Sequence, residues 1–218
     1  MLLIARREQV RSANLARLRS MGFAPVNWMP LREHRAVVRP SEEIARRAVA
    51  LAALGTWITH GESIAPSSEV RAHVARSDLR DALEAEEREL LEGPRELADT
   101  GDPIWDAVAM LGWVLGLDHE PSADGSPLPS ESYDEIVRWL YRGGDVHPST
   151  LVSRVRSAEE IVPLEDLFTC AHQSSRLMQL GFAPGPKRAD HVRIEIRRHA
   201  LSWVLSPGLS WAEVDLGS

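Results

Sequence analysis

The sequence predicts an all-α protein, a compact bundle of seven to nine helices with two of them buried at its centre. Three observations carry this. Ile44, Ala48, Leu51, Gly55 and Ile58 follow a 4-3-4-3 spacing that lines one face of a helix. From Ile104 to Leu117 only Asp106 is charged, the pattern of a helix covered on all sides and too short to span a bilayer. Near the end of the chain, Val192, Ile196 and Trp203 share one helical face, while Ile194, Leu201 and Leu205 share nearly the opposite one.

The elements follow in order. A first helix runs from about Arg6 to Met21 and stops at Gly22. Pro25, Pro30 and Pro40 break the stretch from Phe23 to Pro40 into an irregular crossing, with a short extended piece at 36–38. Ser41 caps the second helix, Glu42 and Glu43 favour its N-terminal dipole, and Arg46 points away from its apolar face. Ser67 to Leu97 is charged and helical in pattern, with the acidic run Glu84 to Glu92 reading as a solvated face. Asp102 is placed to cap the apolar helix, with Pro103 at its first position and Gly112 and Gly116 spaced for close approach of a neighbouring backbone. Residues 118–130 are rich in Pro, Ser, Asp and Gly, marking a mobile loop or subdomain boundary in an otherwise single domain spanning 1–218. A helix around Tyr133 to Tyr141 ends at Gly143-Gly144, and another runs from Ser157 to Leu180 with a bend at Pro163. The last covers Asp190 to Leu205, stopping at Pro207-Gly208.

The last helix raises an electrostatic problem. Arg193 and Arg197 fall on one flank between its two apolar faces, Glu195 and Arg198 on the other. A guanidinium held between packed helices must find an acid or carbonyls, because a buried unpaired charge is very costly. Asp106 has the same difficulty with opposite sign. The expectation is that Arg197 or Arg198 meets Asp106, Asp166 or Asp215 in an internal ion pair.

Composition narrows the function. A net charge of −7 argues against binding phosphate backbones. Seven of the twelve aromatics are Trp, large rigid packing units each with one N–H to satisfy. Cys170 is alone, so neither an intramolecular disulfide nor a Cys-based metal cage is available. The apolar run at Met1 to Ala5 is too short for a signal peptide and no stretch reaches membrane-span length, so the expected location is cytoplasmic. No phosphate loop, zinc-protease helix or nucleophile elbow occurs, and no cofactor is expected. His191, Glu195 and His199 recur every fourth residue and are the weak metal candidates, but such a set drifts about 80° around the helix. His172 and Cys170, two apart on one helix, point to nearly opposite sides and do not make a nucleophile–base pair.

Taken together, Arg197-Arg198-x-Ala200-Leu201-x-Trp203 and Trp211-x-x-Val214-Asp215 resemble the C-terminal signature of the DUF4272 family of uncharacterised, mostly bacterial proteins. Arg39-Pro40-Ser41-Glu42-Glu43-Ile44, Asp106-Ala107 with Leu111-Gly112-Trp113, and Asp166, His172 and Arg176 resemble its other motifs, so the resemblance runs from about Arg11 to Asp215. This chain departs from the family pattern at Ile196 and Ala212, where acids are usual, and at Thr169, Cys170 and Gln173, where Tyr, Arg and Trp are usual. Loss of those polar groups favours a structural or binding role.

The resulting expectation is a non-enzymatic protein-binding or regulatory module of the immunity or accessory kind, its partner another protein, with self-association also compatible. The alternative is an enzyme or small-molecule binder with a pocket lined by His172, Arg176, Arg197 and Trp residues. The candidate binding residues are Asp106, Asp166, His172, Arg176, Arg197, Arg198, Trp203, Trp211 and Asp215; neither a nucleic acid nor a membrane is an expected partner.

Overall fold

The computed structural model describes residues 2–25, 37–60, 71–72, 74–75, 79–92, 101–140, 155–187 and 189–217. Seven α-helices lie in these segments: α1 (Leu2–Ser20), α2 (Ser41–His60), α3 (Ala85–Glu92), α4 (Gly101–Val114), α5 (Ser130–Leu140), α6 (Ala158–Gln179) and α7 (His191–Val204). A 3-10 turn, Arg80–Ala82, precedes α3. The expected crossing over 26–36, much of the helical pattern over Ser67–Leu97 and the Gly143-Gly144 stop lie outside the described residues.

Among the described residues there is no strand. Of the expected piece at 36–38, Ala36 lies outside the described residues, and Val37 and Val38 join no strand; Val37 is exposed. A strand needs a neighbouring backbone to pair with, and the nearest such bond is a single one from Arg39 N–H to the Val204 carbonyl, 2.9 Å.

Packing is sequential in space though not in sequence. α1 lies on α6, α6 on α7, α7 on α4, and α4 on α2, with α5 against α4 and α3 against α2. α7 therefore packs on both sides, as its two apolar faces demand: Ile194, Ala200, Leu201, Trp203 and Val204 are all buried. α4 is buried continuously from Trp105 to Leu115. α2 is apolar beyond its predicted face, since Ala45, Val49, Ala52 and Ala53 are buried as well.

Helix ends follow local chemistry. α1, α4 and α6 close alike: Gly22, Gly116 and Gly181 take positive φ, and the next residue's N–H reaches back five positions, as Phe23 does to Leu18 at 3.0 Å. Gly116 is thus a cap, not a point of interhelical approach. Gly112 makes room for the side chains of Leu117 and Trp139, not for a neighbouring backbone; the tight approach is at Gly55, beneath the Trp105 ring. Glu160 bonds back to the Ser157 amide at 2.9 Å to start α6, which continues through Pro163. α4 is already helical at Gly101, so Asp102 sits inside its first turn rather than ahead of it.

The acidic segment does more than face solvent. Glu87 takes both ends of the Arg47 guanidinium at 2.6 and 2.7 Å, and Glu84 accepts the Trp211 amide at 2.8 Å. Arg39 stacks over Trp203 and donates to the carbonyls of Ser206 and Leu209, both at 2.7 Å. Two arginines of α2 and its approach thereby hold the segment after α7 across the bundle.

Candidate functional site

α7 presents two polar flanks, and each meets a different helix. On the α4 side, Arg193 and Arg197, one turn apart, share the carboxylate of Asp106. Arg197 donates to Asp106 Oδ1 through Nε (2.9 Å) and Nη2 (2.5 Å), and Arg193 Nη1 donates to Oδ2 at 2.9 Å. The remaining donors of Arg197 take the carbonyls of Ser122 (2.5 Å) and Ser126 (2.7 Å) in the 118–129 segment. Both Arg197 and Asp106 have 0% side-chain exposure. Burial pushes the Asp106 carboxyl up from its ordinary value, and the two guanidiniums act against it. Enclosed by protein donors and acceptors, this pair braces α7 against α4 and the 118–129 segment.

On the α6 side, Arg198 is equally buried. Its Nη1 donates to His172 Nδ1 at 2.6 Å and its Nε to Thr169 Oγ1 at 3.1 Å. Thr169 passes its own proton to Glu165, which also accepts from Ser202. Arginine has no acceptor, so His172 Nδ1 must carry the lone pair and the neutral ring holds its proton on Nε2. Burial, then the charges of Arg198, His191 and Arg176, hold His172 down at about 3. The folded protein therefore refuses a proton that the unfolded chain takes below its ordinary value of 6.5. Stability contributed by a neutral His172 is complete above pH 6.5 and falls with acid; the loss is about 2 kcal/mol by pH 5. Urea unfolding at pH 7 and pH 5 checks this: the native protein loses that much more than His172→Gln.

The opposite edge of His172 opens on a cavity of about 390 Å³. α6 supplies His172 and Arg176, one turn apart; α7 supplies His191, Glu195 and His199 at the same spacing; residues Val214 to Gly217 close it. Ser175 Oγ stands 2.8 Å from both the His172 carbonyl and His191 Nδ1, the tautomer of His191 deciding which group donates in the second contact. His191 Nε2 then points toward Glu195, 3.6 Å away. His199 lies edge-on to Trp211 and is tied to the backbone of Trp211 and Val214, fixing the closing segment; burial, then Arg47, lowers its pKa. Among the described residues, the Arg176 guanidinium has no hydrogen-bond or ion-pair partner.

Two catalytic readings of this cavity fail on chemistry. Ser175, His191 and Glu195 have the residue types of a nucleophile relay, but Ser175 is buried and does not line the cavity. His172, His191 and Glu195 bring ligand-type atoms within 4.8 Å of one another. The imidazoles, however, are stacked at 25° with centroids 4.9 Å apart, and a metal must lie in the plane of each ring it binds. The His172 nitrogen on the cavity side also carries the proton. The sequence-level set His191, Glu195, His199 does not form one cluster; His172 stands nearer to the first two.

The other candidates separate. Arg197 meets Asp106 and lies away from the cavity that His172 and Arg176 line. Asp166 binds Arg11 (2.9 and 2.6 Å) and Asn14 (3.0 Å) between α1 and α6. Trp203 is buried under Arg39, and Trp211 packs between Trp203, His199 and Arg47. Asp215 is exposed at the cavity edge, its carboxylate accepting the Gly217 amide. Ile196 and Ala212 line an adjoining apolar hollow of about 290 Å³. Cys170 is buried, and burial with the nearby acids pushes its thiol up to about 12, which leaves it unreactive. Sequence reasoning missed Glu165, Ser175 and Ser202; only a known α6–α7 register reveals them.

A model of a family described as a domain of unknown function, DUF4272, matches residues 7–214. No curated protein and no solved structure matches.

Proposed function

The chain belongs to the DUF4272 family, and from that premise we propose that it is a binding module whose α6–α7 cavity takes a small ligand through an anionic group on Arg176. One observation carries this. The buried arginines of the signature are satisfied by protein groups, whereas Arg176 lines an open cavity with no partner among the described residues. The neutral His172 adds an N–H donor one turn away, and a planar guanidinium suits carboxylate or phosphate. The burial of Ser175 and the stacked imidazoles favour binding over hydrolysis or metal chemistry.

Butyrate and inorganic phosphate, titrated calorimetrically, test the assignment. At least one binds the native protein, and Arg176→Gln weakens it about tenfold or more, the worth of a charge-assisted contact. Equal binding by both proteins removes Arg176 from the site.

A second reading, a protein partner, is favoured by Leu180 and Phe182, 64% and 77% exposed on the turn one helical step beyond Arg176. The net charge of −7 opposes a nucleic-acid partner. Among the described residues no helix is long and apolar enough to cross a membrane; a cytoplasmic setting belongs to this proposal.

A further inference from the structure

The cavity is lined by charges of both signs, Arg176 on α6 against Glu195 on α7 and Asp215 in the closing segment. Contacts between α6 and α7 fix the axis: Ser175 meets His191, His172 meets Arg198, and Glu165 is reached from Ser202. These pairings run in opposite directions along the two helices, so the hairpin is antiparallel. Arg176 therefore lies at the hairpin end, level with His191. Glu195 lies one turn farther along α7, and Asp215 lines the cavity from the closing segment. One helical turn, about 5–6 Å, separates the backbone level of Arg176 from that of Glu195.

Among the described residues these groups do not pair with each other. Arg176 forms no ion pair there, and the group within 4 Å of the Glu195 carboxylate is His191 Nε2, at 3.6 Å. Val214 and Leu216 add apolar lining. A ligand carrying a carboxylate alone would satisfy Arg176 and bring a second negative charge toward Glu195 and Asp215. A ligand carrying an amine alone would satisfy the acids and leave Arg176 unpaired.

We propose that the cavity recognises a zwitterionic amino-carboxylate, its carboxylate on Arg176 and His172 and its ammonium on Glu195 and Asp215. This rests on the anion-binding role of Arg176 argued above. The His172 Nε2–H is a fixed donor, since Arg198 holds its other nitrogen as an acceptor. His199 acts as a positioning residue by holding the closing segment through the Trp211 and Val214 backbone.

Calorimetric titration with 4-aminobutyrate, butyrate and butylamine tests the idea, the three probes sharing one carbon skeleton. 4-Aminobutyrate binds about tenfold or more tighter than either singly charged probe, as a second charge-assisted contact requires. Glu195→Gln removes that advantage without weakening butyrate, which gains from the loss of a like charge. Arg176→Gln weakens both 4-aminobutyrate and butyrate. Butyrate binding as tightly as 4-aminobutyrate overturns the zwitterion and leaves the anion site standing. If neither butyrate nor 4-aminobutyrate binds, both this inference and the role of Arg176 fall. Glu195 is exposed and Arg176 partly so, and far-ultraviolet circular dichroism confirms that the variants are folded.

Discussion

Asp106→Ala lowers the unfolding free energy by about 3–5 kcal/mol, the cost of leaving a buried charge without its partner. In a chain of 218 residues this is a drop in Tm of roughly 10 °C. Two guanidiniums converge on this one carboxylate, and Arg197 has no exposed surface through which water could replace it. The double variant Asp106→Leu with Arg197→Met recovers part of the loss by replacing the ion pair with apolar volume. Recovery stays incomplete, because the carbonyls of Ser122 and Ser126 lose their donors, each left unsatisfied at about 1–3 kcal/mol. Thermal and urea unfolding of the single and double variants measure both quantities. A single variant within 1 kcal/mol of the native protein, roughly the scale of a surface pair, would show that the cluster is wet in solution.

Gly125→Ala costs about 3 kcal/mol, a large effect for one added methyl group. Gly125 has a φ of +73°, and a Cβ there would stand 2.4 Å from the Asp190 carbonyl oxygen and 2.9 Å from its nitrogen. Both are backbone atoms at the start of α7, where the Asp190 side chain caps the Arg193 amide and its own N–H bonds Asp124. Neither side can yield without lifting the 118–129 segment from the helix and drawing Ser122 and Ser126 from Arg197. Gly208→Ala is the control: its φ is +95° with nothing within 4 Å, so only the conformational cost of about 1–2 kcal/mol applies. Denaturant unfolding of the two variants separates clash from conformation, and equal losses would dispose of the clash. Hydrogen exchange at the first amides of α7 should quicken in Gly125→Ala alone.

How far the sequence foretells this structure depends on how local each signal is. Gly22 and Gly181 mark helix ends because a left-handed cap is a property of one residue. The two apolar faces of α7 place it between neighbours, and burial then obliges Arg197 to find an acid; Asp106 was among three named in advance. Which acid each arginine takes is not local. Asp166 goes to Arg11, 155 positions away, and Glu87 to Arg47, 40 positions away. In sequence, Glu87 looks like any member of a solvated acidic run. Thr169 and Ser175 look like ordinary polar residues of a helix until α7 is laid against them. The three-histidine cavity is likewise invisible to helical periodicity, since it is assembled from two helices and the segment after them. Val37 and Val38 mislead for the converse reason: their strand preference is real, but no backbone is available to pair with.

The place of α7 bears on the order in which the chain can assemble as it emerges during synthesis. The helix that separates α6 from α4 is made after both of them, and Asp106 waits 91 residues for Arg197. α2 can pack with α4, and α1 with α6, while the polypeptide is still growing. Only a slender join, such as the Arg156 N–H on the Val114 carbonyl, links those two halves until residues 191–204 arrive between them. A chain interrupted before that point holds a bare carboxylate and two uncovered apolar surfaces, the kind of product that aggregates or is degraded. Arrival of α7 is thereby built into the condition for a closed core.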